Sequence, residues 1–215
     1  MGARGLAWVG ALTALGLLLA GCDPSGRPID SVAIPCDVGK RPGYFVPRPP
    51  GSPLAVLGCA RLGVHGKRVE FSGGLARIDG ALHSCINPAY SGRGRRGAFI
   101  PSICKFPAPL SRFAVRNAAH PRQGIRGYAF VIWGTAGPST SEVVAHSFFG
   151  SARAAVLPVR ATLAGRFGEA PFSLFVVELP LAARCAPVVL RADGPAGPER
   201  VLHDDTLARC RGGGF

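Results

Sequence analysis

Seven thiols, five imidazoles and twelve carboxylates are the groups in this chain whose types and spacing could do chemistry. Ser102 and Lys105 stand three residues apart, a spacing that on one helical turn would set a hydroxyl beside an amine, as acyl-transfer enzymes require. Pro101 and Pro107 bracket that stretch, and neither a Lys-Thr-Gly nor a Gly-x-Ser-x-Gly segment accompanies it. His203, Asp204 and Asp205 offer an imidazole and two carboxyls, yet adjacent residues rarely converge on one ion without distant partners, so a solvated turn is expected there. His146 and His83 read as surface or hydrogen-bonded core residues. Glu178 interrupts the apolar run Phe172 to Leu179. It is expected to face outward and pair with an arginine, the alternative being a buried base with a raised pKa. Trp133 and Phe148 are expected to fill the core. No catalytic residue is assigned, and enzymatic activity is only the alternative to a binding role.

The thiols say more. Met1 to Gly5 carries one charged side chain, Arg4, and Leu6 to Ala20 carries none. This is the layout of a signal peptide, and it falls short of the roughly 20 apolar residues of a comfortable membrane span before Asp23 and Pro24 end it. The run closes on Leu19-Ala20-Gly21-Cys22, which resembles the bacterial lipobox at every position. The resemblance implies cleavage after residue 21, a thioether lipid on Cys22, and a mature chain anchored to the extracytoplasmic face of a cell membrane. Two or three acyl chains hold a protein stably where one holds it only marginally. Asp23 directly after the cysteine implies, by the same resemblance, retention in the inner membrane where an envelope has two.

Committing Cys22 to lipid leaves six cysteines, none in a Cys-x-x-Cys pair. Metal sites usually want such close pairs, so neither a metal nor another cofactor is expected. An even count in an exported chain instead points to disulfides. Six cysteines allow 15 connectivities, among which the sequence does not choose; pairing of sequence neighbours, Cys36 with Cys59, Cys85 with Cys104 and Cys185 with Cys210, is the expectation, since it would close short loops between adjacent strands. Each such loop contributes roughly 3 kcal/mol by restricting the unfolded chain.

The formal charge is +13, falling to +12 once Arg4 leaves with the signal segment. A body so basic, held near a membrane, is attracted to anionic headgroups, acidic wall polymers or an acidic envelope protein. Nucleic acid fits the charge but not the compartment, and is not expected as a partner. The stretch "SGRGRRG", residues 91–97, concentrates the charge. Arg93, Arg95 and Arg96 alternate with glycines that leave nothing apolar to bury, and the planar guanidinium fork suits phosphate and carboxylate. These three arginines are the expected polyanion contact.

Positioning these groups falls to many short elements. Residues 22–31, with Pro24, Gly26 and Pro28, read as a lipidated tether. From Val32 the chain shows short apolar segments cut by Gly and Pro: Leu54 to Ala60, Arg68 to Phe71, Ala81 to Ile86, Tyr128 to Trp133, Val143 to Phe149, Phe172 to Leu179 and Val188 to Ala192. They are rich in Val, Ile, Phe and Leu and have strand length. Val159, Ala161 and Leu163 alternate with Arg160 and Thr162, which predicts one more strand. Turn signals at 47–53, 91–97, 137–141 and 194–198 separate them. The expected fold is all-β, a disulfide-linked sandwich or open barrel over 32–215, with a division inside 110–126 as the alternative. The stretches "GYAFVIWGTAG", "FSLFVVELP" and "VVLRADG" resemble uncharacterised exported proteins of high-GC Gram-positive bacteria. That resemblance implies a host class and no mechanism.

Overall fold

The computed structural model describes residues 29–42, 54–63, 66–91, 103–104, 106–119, 129–180, 183, 186–195 and 197–203. Nearly all of the regular structure is β, in three antiparallel sheets, none of them closed into a barrel. The first sheet has the order β1 (Val32–Ile34), β2 (Ala55–Arg61), β3 (Arg68–Ile78), β4 (Ala81–Ser91) and β5 (Ile103–Cys104). The middle sheet runs β10 (Ala155–Val159), β11 (Phe172–Pro180), β7 (Ala129–Ala136) and β6 (Ala114–Ala119). The third runs β13 (Glu199–His203), β12 (Val188–Asp193), β8 (Glu142–Ser147) and β9 (Gly150–Arg153).

The stacking follows from the sequence of β11 and β7. Both are apolar over most of their length, with Ser173, Glu178 and Thr135 the polar exceptions, the pattern of a strand covered on both faces. Phe172, Leu174 and Val176 of β11 join Val131 and Trp133 of β7 in one core, against Leu57, Val69, Phe71 and Ile86 of the first sheet. The intervening residues, Phe175, Val177 and Leu179 with Phe130 and Ile132, enter a second core against Val143, Ala145, Val188 and Leu190 of the third sheet. Phe71 meets Trp133 edge to face at 5.8 Å. The outer sheets alternate instead, as in β12, where Val188, Leu190 and Ala192 are buried while Val189 and Arg191 are exposed. That period-2 pattern is the mark of a sheet with one wet face.

Three expectations are corrected. Val159 to Leu163 does not continue as a strand. After Val159 the chain turns into α1 (Ala161–Ala164) and a 3-10 turn at Gly165–Phe167, because Leu163, Ala164 and Phe167 bury against the first core. Five residues of alternation are too few to separate the two periods. Glu178 does not face outward: only 2% of it is exposed, because β11 is covered on both faces along its whole length. Phe148 does not fill the core; it is 88% exposed.

Candidate functional site

Two of the three expected disulfides are present. Cys36 is bonded to Cys59 and Cys85 to Cys104, with Cα atoms 5.9 and 4.1 Å apart. The second lies across the register pair that joins β5 to β4, and the first staples the chain after β1 to β2. Cys185 and Cys210 lie outside the described residues, as do Cys22, Arg93, Arg95, Arg96, Ser102, Lys105, Asp204 and Asp205. The chain leaves β4 toward those arginines at Ser91, which pairs in register with Arg68. His203 ends β13 and stacks on Phe130 with ring centroids 6.2 Å apart. His146 is on the surface, its Nδ1 2.7 Å from Ser151 Oγ. Among the described residues no group of three or more His, Cys, Asp or Glu side chains could hold a metal ion.

Two polar groups on the buried side are perturbed. Burial pushes the Glu70 carboxyl above its ordinary range, against the opposing pull of the Arg68 guanidinium 3.8 Å away. Tyr90, facing the first core, has its hydroxyl pushed up by burial and by the nearby Glu178 carboxylate.

Two concavities bring distant segments together. The first is an open groove of about 620 Å³ between β6 and β13, which are edge strands of different sheets. Arg112, Arg116 and His203 line it, and among the described residues no carboxylate does. Arg116 reaches its position because it is the extra residue of a bulge, between Val115 and Asn117, that re-aims its side chain. Its Nε donates to Thr135 Oγ1 at 2.9 Å and its Nη2 to the Pro109 carbonyl at 2.7 Å, while the guanidinium lies 5.1 Å from the Phe106 ring centroid. Desolvation draws its pKa down, against the opposing pull of Glu169. Thr135 in turn donates to the Arg112 carbonyl at 3.1 Å, so both arginine segments are tied to β7.

The second is a cleft of about 470 Å³ walled by Leu75, Leu82, Phe106 and Phe167, with His83, Ser84 and Glu169 on its rim. Ser84 Oγ lies 2.6 Å from Glu169 Oε1 and 3.1 Å from the Phe167 carbonyl oxygen. The carboxylate is the stronger acceptor for its single proton. The contact joins the turn after α1 to β4, and a carboxylate so placed could also draw a proton from the serine. Among the described residues no hydrogen bond links the His83 ring to either group.

The start of the described chain is fixed by specific contacts. Arg153 N donates to Asp30 Oδ1 at 2.7 Å, Ser31 N to the Arg153 carbonyl at 2.9 Å, and Gly63 N to Ser31 Oγ at 3.2 Å. Gly63 is required there, since a Cβ would overlap the Ile29 carbonyl oxygen. Arg116 and the basic groove were missed in the sequence. Their signal is faint, because bulge position and sheet order decide where that arginine points. Neither a protein-family model nor a curated protein nor a solved structure matches the chain.

Proposed function

We propose that the chain is a lipoprotein held by lipid on Cys22 at the extracytoplasmic face of a cell membrane, and that its β body is a binding module for envelope components, anionic polymers foremost. One observation carries the binding reading: among the described residues, the groove between β6 and β13 is lined by Arg112, Arg116 and His203 and by no carboxylate. Arg116 on β6, and Arg112 in the bend just before it, bring two guanidinium groups to one groove, and a guanidinium suits phosphate or carboxylate. The lipobox and the net charge of +13 support the address and the sign of the ligand. Arg93, Arg95 and Arg96 would add a second contact.

The test is binding of purified anionic wall polymer to the full chain at low and moderate salt, alongside Arg112→Glu and the triple Arg93→Ser, Arg95→Ser, Arg96→Ser variant. Affinity should fall steeply with salt and with Arg112→Glu, since exposed charges are screened over about 10 Å at 0.1 M. Affinity indifferent to both would overturn the module reading. Intact mass of protein from native membranes reads the anchor: loss of residues 1–21 and a diacylglyceryl adduct are expected, and an unmodified Cys22 would overturn the lipoprotein.

The second reading, a cell-envelope enzyme, draws on the Ser84–Glu169 contact in the cleft. Labelling of Ser84 by a fluorophosphonate, abolished in Glu169→Gln, would favour it over the binding module.

A further inference from the structure

The β8–β9 hairpin closes on Ser147-Phe148-Phe149-Gly150, with Ser147 and Gly150 paired in register. Two-residue hairpin loops favour Asn, Asp and Gly, whose backbones accept the required conformations. Here both loop positions are phenylalanine, 88% and 37% exposed, with their rings edge to face at 5.5 Å. Hydrogen bonds from Phe149 N to Ser147 Oγ and from Ser147 Oγ to the Gly150 carbonyl, together with φ of +115° at Gly150, hold the tip in shape. The apolar surface continues across the outer face of the third sheet: His146 is paired with Val189 and Val189 with Leu202, the last two 37% and 61% exposed. Farther along that face, ion pairs Arg153–Glu142 at 2.8 Å and Arg191–Asp193 at 2.9 Å close the charged rows. The uncovered part is therefore the apolar end, and an exposed patch of this kind marks a surface that meets something.

What it meets follows from the chain leading to it. Asp30 is bonded to Arg153, which is four residues along β9 from Phe149, or about 13 Å at the rise of a strand. Cys22 is seven residues upstream of Ile29, a reach of at most about 25 Å. From these distances we infer that the Phe148–Phe149 tip is a membrane-docking wedge, which seats in the interfacial region of the same bilayer that holds Cys22. This deepens the lipoprotein reading and rests on it. The lipid would supply the anchor and the wedge would fix the orientation of the body, which acyl chains on a tether cannot do.

The experiment uses the full chain reconstituted in phospholipid vesicles, in wild-type form and as Phe148→Trp, a change at a solvent-exposed position, made together with Trp8→Phe so that Trp133 is the one other indole. With lipids brominated near the headgroup, emission from position 148 should shift to the blue and be quenched, whereas Trp133, wholly buried, should not respond. In the wild-type chain, where no substitution intervenes, amide exchange at residues 147–150 should slow by about tenfold or more on reconstitution, the least that burying one phenyl ring would give. Unquenched emission together with unchanged exchange would overturn the wedge. Protection that rises with protein concentration and ignores lipid would also overturn it, giving the face to a second copy. Intact mass on the same sample reports Cys22 separately. An unmodified cysteine defeats the anchor, while quenching at 148 still decides whether the tip meets the bilayer.

Discussion

Glu70 carries its carboxyl beside the Cys36–Cys59 disulfide, with only 9% of the residue exposed. Desolvation outweighs the attraction of Arg68, so the folded chain binds the Glu70 proton more tightly than the unfolded chain does. The linkage then has a definite sign. The stability this group contributes is fully present below its ordinary 4.5 and is lost as pH rises through the raised folded value. Glu70→Gln should therefore raise Tm at neutral pH and leave it unchanged well below 4.5. A variant with lower Tm at neutral pH would show that the attraction of Arg68 dominates. The neighbouring chemistry explains why the position tolerates an acid at all: Arg68 Nη2 lies 3.4 Å from Cys59 Sγ and keeps positive charge at the same spot. None of this was readable from "RVEF", where Glu70 looks like any wet-face residue of a strand.

Among the elements, β4 and β5 pair over only two register positions, and one of them is the disulfide-bonded pair Cys85 and Cys104. A two-residue strand contributes little pairing of its own, so the covalent link holds that edge. Its separation of 19 residues places the loss on replacing both cysteines by serine at about 3 kcal/mol. Urea unfolding of that double variant should show it as a lower midpoint, and an unchanged midpoint would mean that β5 holds without the bond. All seven apolar segments picked from the sequence overlap strands, because Val, Ile and Phe runs between Gly and Pro have few other ways to bury themselves. The Asp79-Gly80 turn, with φ of +51° and +82°, extends β3 and β4 well beyond the segments expected. That dipeptide between two apolar runs was a legible hairpin signal. α1 was not legible, since Leu163 and Phe167 turn inward only because the first core offers them room.

At the scale of the whole molecule, the middle sheet belongs to both cores. Leu174 and Val177 sit three residues apart on β11 and face opposite sides, one toward the first sheet and one toward the third. Neither core can lose its partner layer without exposing a face of β11 and β7. Scanning calorimetry should therefore show one transition, and Leu174→Ala and Val177→Ala should each lower that same Tm. For Leu174→Ala the cost should be about 2–5 kcal/mol, the range for deleting a buried leucine. Two transitions, each answering to only one of the substitutions, would mean that the layers unfold independently.

The sequence by itself determined the β class and the basic excess, because period-2 patterning and charge are local or additive properties, whereas the choice of Cys36–Cys59 and Cys85–Cys104 among the possible pairings fell to the fold. Which strands share a sheet, and which sheet lies between the other two, was decided only by the tertiary structure. That ordering turned Glu178 inward, because a strand covered on both faces has no side left for water. It also aimed Arg116 through a bulge into the groove and put Phe148 at a hairpin tip in solvent. The same apolar residue types serve a core or an exposed surface according to what is packed against them, and a single chain read in order does not carry that information.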